Sequence, residues 1–312
     1  MEMIDKEPKV LVVGDLIIDE YVYGSSSRLS PEAPVPVVVE SRRLLAQGGA
    51  GNVVENLKAL GAETRFWHGE KSSHKLRIIS GHQQIVRLDN DNCEQAPTPG
   101  FIGDWVRWAD AVVISDYDKG VVTPHIIQSV NRFCKTWGKP LLVDPYKYKC
   151  HYGDAVTLIK PNRQEAQSVA ATEIRDLASL QVAGEIYLEL SKADNVVITL
   201  GEDGAALFER KKKGQLPYLS KSPRPQQVFD VTGAGDTAIA TLAFVWASAQ
   251  QGHFSKQSAV DWATRAASIV VGKLGTATVS AAELFGPFPP QLLPDALAMD
   301  SDYAINEQEP FP

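Results

Sequence analysis

The segment Asp230-Val231-Thr232-Gly233-Ala234-Gly235-Asp236 combines a tight turn of small residues with a carboxylate. A strongly helical apolar run, Thr237-Ala238-Ile239-Ala240-Thr241-Leu242-Ala243, follows at once. Backbone N–H groups in the first turn of a helix have no intrahelical partner. Those of Gly233, Ala234 and Gly235 can therefore point at an anion, and the helix dipole adds positive potential there. A side chain at Gly233 or Gly235 would block close approach of a phosphate. An anion hole beside Asp236 suits removal of a hydroxyl proton during phosphoryl transfer. An acid at a helix start is expected to stay ionised at neutral pH, ready for that task. The plainer reading is an Asp N-cap after a Gly-rich turn.

Other constellations carry the same pair of readings. Gly48-Gly49-Ala50-Gly51-Asn52 precedes the helical run from Val53 to Leu60. Its glycines admit a ligand to the backbone, and Asn52 offers a donor and an acceptor to a hydroxyl. It could equally be a flexible turn before a helix. Asn162 and Glu165 could hold a magnesium ion through water near nucleotide phosphates. The same spacing is a helix capping box, which is expected to form in either case. Asp15 and Asp19 flank a strand end, where a carboxylate could accept from two sugar hydroxyls, or serve as a turn residue and a solvated acid. Lys75, Arg77 and Arg87 alternate along apolar runs and could meet a second, non-transferred phosphate; surface charge is the commoner meaning.

Positioning these groups requires a scaffold, and the apolar runs supply one. Val10–Val13, Ala111–Ile114, Leu141–Val143, Val156–Ile159 and Val196–Thr199 each end in polar residues or glycine. They are nearly all apolar rather than alternating, as strands buried on both faces are. Helical segments over 52–60, 124–137, 163–170 and 176–192 separate them. That is the rhythm of an α/β protein with a doubly wound, mostly parallel sheet and helices on both faces. In such sheets ligands bind beyond the carboxyl ends of the strands, where Asp15, Asp116, Asp144, Asn162 and Gly201 fall. Residues 205–209 and 216–220 flank a basic turn and read as an antiparallel hairpin. Residues 20–45, with strands 21–24 and 35–39, and residues 74–90 read as a small β lid outside the main sheet.

The composition bounds what the chain does. It has 312 residues, 44% of them hydrophobic, enough for one large α/β domain with a small excursion. The net charge of −7 argues against nucleic acid or a membrane surface as partner. Arg210-Lys211-Lys212-Lys213 reads as an exposed turn. Three widely spaced cysteines suggest no disulfide framework and no zinc site, so a reducing cytoplasm is the default. Trp105 and Trp108 are expected to face a core. From Pro287 onward there are six prolines, five acids and no Lys or Arg. Residues 286–312 are therefore expected to be a loosely held extension beyond a domain spanning 9–285.

These residues resemble the ribokinase (PfkB-type) family of sugar kinases. The Gly48–Asn52 and Asp230–Asp236 segments match its two signatures. Within it the chain is most similar to the bacterial D-glycero-β-D-manno-heptose 7-phosphate kinases. Ser30–Val38, Lys75-Leu76-Arg77, Gln83-Gln84, Arg87-Leu88-Asp89, Ser115-Asp116-Tyr117, Lys119-Gly120 and Gly272–Thr276 carry that likeness. The resemblance covers roughly residues 9–285. It implies a ribokinase-like fold and ATP-dependent phosphorylation of the anomeric hydroxyl of a heptose 7-phosphate, feeding ADP-heptose for lipopolysaccharide. It implies Asp236 as general base, and Gly233, Ala234 and Gly235 as the anion hole. Asn162 and Glu165 would serve Mg2+ and phosphate, and Thr199, Gly201 and Gly204 would line the nucleotide. Asp15, Gly48, Gly49 and Asn52 would hold the sugar. A monovalent cation such as K+ is left open, and relatives are dimers, here through the β lid. Some relatives carry a nucleotidyltransferase domain after the kinase, for which this chain is too short.

The chain departs from that pattern in three places. Only Trp67 to Ser73 separate Phe66 from the Lys-Leu-Arg run, so a helix and its flanking strand are expected to be missing. Val54 stands where a small residue is usual. Arg265, near the expected adenine pocket, could narrow it or point outward. Two other functions stay open: a different PfkB-type sugar or nucleoside kinase, and a non-catalytic kinase-fold scaffold.

Overall fold

Strand β1 (Lys9–Gly14) shows why the apolar runs are continuous. Val10 and Val12 pack into one core cluster, whereas Leu11 and Val13 pack into another on the opposite face. Side chains alternate across a strand, so a strand covered on both faces must be apolar at every position. The computed structural model describes residues 7–81, 83–91, 95–223, 230–249, 255–273 and 277–286. The expected extension beyond 286 lies outside them.

The remaining strands are β2 (Leu16–Leu29), β3 (Pro36–Gly49), β4 (Glu63–Trp67), β5 (Ser73–Ser80), β6 (Gln83–Asn90) and β7 (Ala111–Ser115). They continue with β8 (Leu141–Asp144), β9 (Val156–Ile159), β10 (Asn195–Thr199), β11 (Ala205–Glu209) and β12 (Tyr218–Ser220). Among the described residues the main sheet has eight strands, in the order β12-β11-β10-β9-β8-β7-β1-β4. The pairings from β10 across to β4 are parallel. The pairings of β11 with β10 and β12 are antiparallel. One face carries α1 (Ala50–Ala59), α6 (Ala234–Ser248), α7 (Lys256–Val271) and α8 (Ala281–Phe285). The other carries α2 (Ile102–Trp108), α3 (Pro124–Trp137), α4 (Arg163–Ala170) and α5 (Leu177–Ser191).

Helix boundaries follow local chemistry. α3 starts where Thr123 accepts from the Ile126 N–H and Pro124 occupies the first turn. It stops at Gly138, whose φ of 60° closes the last turn. α6 is apolar on nearly every side, as a helix must be when it lies between the sheet and two other helices. Its alanines let α1 and α7 approach closely.

The lid differs from expectation in size. β2 and β3 run fourteen residues each and pair antiparallel from Leu16–Gly49 to Leu29–Pro36. The prolines and Gly24 mark only the outer part, where the register shifts twice. β5 adds parallel to β2, and β6 closes a four-stranded sheet in the order β3-β2-β5-β6. Residues 68–72 join β4 to β5 without an intervening helix, in agreement with the shortened segment. Val54 is buried in the core. Trp105 and Trp108 are half-buried, with the Arg65 guanidinium over both rings. The basic turn is exposed except at Arg210, which donates to the Ala193 and Leu188 carbonyls.

Candidate active site

α1 and α6 both begin at the carboxyl end of the sheet, beside the strand ends of β1, β7, β8 and β9. Their first turns bring Asn52 and Asp236 together across a gap of 184 residues in sequence. Gly49 precedes α1 with φ 58°, and a Cβ there would lie 2.7 Å from the Asp15 carbonyl oxygen. Gly233 precedes α6 with φ 84°, and a Cβ there would lie 2.5 Å from Asn52 Nδ2. A side chain at Gly49 would collide with backbone, and one at Gly233 would displace Asn52. The Asp236 side chain does not cap α6, as the plainer reading of the segment expected.

Asp236 is 5% exposed and held at both oxygens. Asn52 Nδ2 donates to Oδ2 at 2.9 Å, and the Tyr117 hydroxyl donates to Oδ1. Behind Asn52 stands a second asparagine. Asn56 Nδ2 donates to Asn52 Oδ1 at 3.2 Å, and Asn56 Oδ1 accepts from Thr237 Oγ1 and the Val279 N–H. This chain fixes the Asn52 amide with its N–H2 toward the carboxylate. Burial pushes the Asp236 carboxyl up to about 6, against the pull of the Tyr117 and Asn52 hydrogen bonds. At that value the acid is still mostly ionised at neutral pH, but it holds its proton more tightly than an ordinary carboxyl does. Burial and then Asp236 hold the Tyr117 hydroxyl protonated, so it acts as a donor.

The anion hole is only partly open. The Ala234 N–H is 3.4 Å from the Val231 carbonyl, a weak bond that a phosphate oxygen could replace. A Cβ on Gly235 would meet Lys160 Nζ at 3.5 Å. Asn162 and Glu165 form the expected capping box at the start of α4. Asn162 Oδ1 accepts from the Glu165 N–H at 2.9 Å, and Glu165 Oε2 accepts from the Asn162 N–H at 2.8 Å. Burial, then the nearby Asp144, raises the Glu165 carboxyl. Among the described residues no cluster of three His, Cys, Asp or Glu could hold a metal by protein ligands alone. Asn162 and Glu165 offer oxygen atoms with spare lone pairs, which suits a divalent cation that keeps its water and binds phosphate.

The residues expected at the nucleotide divide. Thr199 ends β10 and bridges to Asn162, and Gly201 with φ 70° faces open space. Gly204 is required by packing, because a Cβ there would lie 1.9 Å from the Ser220 carbonyl oxygen. Arg265 is exposed with its guanidinium over the Trp262 ring, which packs on Phe285, so it points outward.

On the sugar side, Asp15 is 1% exposed and its carboxylate ties down the loop after β7. It accepts from the Tyr117 N–H at 2.8 Å and the Val121 N–H at 2.9 Å, so little of it is free for a hydroxyl. Asp19 pairs with Arg77 at 2.5 Å rather than standing as a solvated acid. The Asp19 carboxylate fills the space that a Cβ on Gly48 would need. The β2–β5–β6 register places Asp19, Tyr21, Lys75, Arg77, Arg87 and Asp89 on one lid face. Arg77 lies over the Tyr21 ring, and Arg87 pairs with Asp89. Of the three cations expected at a second phosphate, Arg77 and Arg87 are thus already paired.

Sequence reasoning named Asp236 and Asn52 but missed Asn56, Lys160 and the bond from Tyr117. A signal existed for two of them. Asn56 is a polar residue at i+4 from Asn52 in an apolar helix, and Lys160 follows directly on a buried strand.

Solved structures share this architecture. Arabidopsis thaliana ribokinase, in a complex with ribose and ATP, superposes with a TM-score of 0.67 at 20% identity, covering 86% of this chain and 94% of that one. Phosphofructokinase-2 from Escherichia coli, in a complex with potassium, gives 0.69 at 16% identity, covering 90% and 97%. The fold is therefore ribokinase-like. Residues 67–283 match the pfkB family of carbohydrate kinases, and the chain belongs to that family. Among curated proteins, the "Bifunctional protein HldE" of Desulfatibacillum aliphaticivorans is 38% identical over 88% of this chain. The protein of the same name from Campylobacter fetus is 37% identical over 88% of it. The chain spans 62% and 65% of the length of these two relatives.

Proposed function

We propose that the protein transfers the terminal phosphoryl group of ATP to a hydroxyl of a sugar phosphate, with Asp236 as the general base. The observation that carries this reading is the buried Asp236 carboxylate. Two side-chain donors aim it, and it lies in the first turn of a helix whose N-terminus can receive phosphate. Asp236 takes the proton of the attacking hydroxyl on a remaining lone pair. The N–H groups of Gly233, Ala234 and Gly235 receive the negative charge of the transferred group. Asn162 and Glu165 would hold a divalent cation, Mg2+, through water, and that ion would add charge neutralisation at the nucleotide phosphates. Thr199 and Gly201 border the nucleotide, and whether K+ is also needed is a question for assay in its presence and absence.

The acceptor we infer is D-glycero-D-manno-heptose 7-phosphate, phosphorylated at its anomeric hydroxyl. The lid-face motifs Lys75-Leu76-Arg77 and Arg87-Leu88-Asp89 and the identity with the curated relatives support it. Lys75 lies on the same lid face as the Asp19–Arg77 and Arg87–Asp89 pairs, where an ammonium can meet the sugar's own phosphate. The test is ADP release from Mg-ATP against a panel of sugars and sugar phosphates that includes the heptose 7-phosphate. Turnover on that compound alone is the expected result. Turnover only on another sugar overturns the acceptor. Asp236→Asn is expected to lower kcat about 10³-fold or more while nucleotide binding survives. Wild-type turnover in that variant overturns the base.

A further inference from the structure

Lys160 is the first residue after β9, and 3% of its side chain is exposed. Its Nζ lies 3.0 Å from Asp144 Oδ1, at the end of the neighbouring strand β8. A buried ammonium needs partners for its charge and for three N–H donors. Among the described residues, Asp144 is its one ion-pair partner. The rest of its surroundings do not explain it as a structural pair. The ammonium stands over the first turn of α6, 3.5 Å from where a Gly235 Cβ would be. That is the positive end of a helix, where a cation is electrostatically unfavourable unless an anion comes between them. A buried ion pair is also weak in its own right as a source of stability.

The charge around it completes the case. Lys160 lies close enough to Asp236 to pull its carboxyl group down, while Asp144 pushes it up and Asp116 in turn raises Asp144. Lys149 is occupied on the far side of this group, 2.7 Å from Asp116. Lys160 is thus a buried cation held by Asp144 and facing the first turn of α6.

We propose that Lys160 is a phosphate-binding residue whose ammonium contacts the phosphoryl group being transferred at the α6 N-terminus, with Asp144 as the positioning residue that holds it there. This rests on the kinase reading of the same cleft. A contact to the terminal phosphoryl group distinguishes ATP from ADP, whereas a merely structural ion pair treats the two alike.

The experiment is calorimetric titration of the full chain, in Mg2+, with ADP and with AMP-PNP, an ATP analogue that keeps the terminal phosphoryl group. Lys160→Met is expected to weaken AMP-PNP by about tenfold or more, the loss of one charge-assisted contact, and ADP by no more than about twofold. Should Lys160→Met fail to fold because Asp144 is left buried and unpaired, Lys160→Met with Asp144→Asn removes both charges and gives the same selective loss. Equal weakening of both nucleotides, or of neither, overturns the proposal. Asp236→Asn serves as the separate control on the reading beneath it. If that variant keeps its turnover while Lys160→Met still discriminates the nucleotides, the base is misassigned and Lys160 stands. If the wild-type chain binds neither nucleotide, both fall.

Discussion

Asp236 is placed where solvent can help its charge least, and that placement sets its chemistry. A carboxyl pushed up to about 6 by burial is a stronger base than an ordinary one and is still mostly ionised at neutral pH. The acid limb of kcat/KM, which reports the free enzyme, is therefore expected near pH 6 rather than near 4. Tyr117 holds this value down by donating to Oδ1. Tyr117→Phe removes that donor, so the limb is expected to move up by about one unit, with turnover at pH 8 less affected than at pH 6. A limb that stays put in this variant, measured over pH 5–9, would separate Tyr117 from the base. The same shift makes a stability prediction of definite sign. The folded-state value lies above the ordinary 3.8, so the folded chain holds the proton more tightly than the unfolded chain does. The ionised acid then costs stability that appears as pH rises from about 4 to 6, roughly 2–3 kcal/mol in full. Asp236→Asn is expected to raise the urea midpoint at pH 7.5 and to leave it nearly unchanged at pH 3.5–4. An equal or lower midpoint at pH 7.5 would show that the hydrogen bonds, not the buried charge, dominate.

At the scale of elements, the two glycine turns before α1 and α6 do most of the positioning. Gly233 and Gly214 allow their roles to be separated, because both have φ 84°. A Cβ on Gly214 meets nothing within 4 Å, whereas one on Gly233 meets Asn52 Nδ2 at 2.5 Å. Alanine at either site is expected to cost about 1 kcal/mol of backbone strain. Only Gly233→Ala is expected to displace Asn52 and, with it, turnover by about 10²-fold, read as kcat in the same preparations whose melting curves are compared. Both turns were legible in the sequence because glycine spacing reports backbone conformation directly. The strands β1 and β7–β10 were legible for a related reason: two-sided burial leaves a continuous apolar run. The lid was legible in place, over 20–45 and 74–90, but not in the length of its strands. Gly24 inside β2, Pro34 between the strands and Pro36 at the start of β3 made pattern and propensity cut them to 21–24 and 35–39. The long pairing comes from tertiary partners, β5 above all. The site was legible residue by residue only where a residue type is unusual in its place. A carboxylate after Gly-Ala-Gly stands out, but the bond from Tyr117 to Asp236 depends on the end of β7 meeting the start of α6. No local pattern records that.

At the scale of the molecule, one face of the lid sheet is not covered by any other element among the described residues. The register sets Leu45, Glu20, Leu76 and Leu88 in one row across the four strands, and Arg43, Val22, Ile78 and Val86 in the next. Leu45 is 68% exposed and Leu88 63%, and β6 is exposed along its whole length. An apolar row of this kind on an open sheet is a docking surface or an aggregation risk. Its charges favour docking with a like surface. Glu20 is buried between Arg43 and His74 on the same face, so its charge is met within the chain. The outward side chains around this group include Leu45, Val86 and Leu88, a patch that can meet its own copy about a twofold axis. We therefore expect a dimer in solution, formed lid against lid, although the main sheet has its own two cores and needs no partner to fold. Leu45→Lys with Leu88→Lys puts two like charges into each copy of that surface. Burying charges there costs about 3–5 kcal/mol, enough to raise the dimer dissociation constant by more than a hundredfold. Light scattering after size exclusion, at concentrations from 1 to 100 µM, is expected to give about 68 kDa for the wild type, twice the 34.0 kDa chain, and 34 kDa for the variant. The melting curve should be little changed, because neither side chain contributes to either core. A wild-type chain that stays at 34 kDa throughout would leave the exposed leucines to a different partner. A variant that stays dimeric would move the interface off this face.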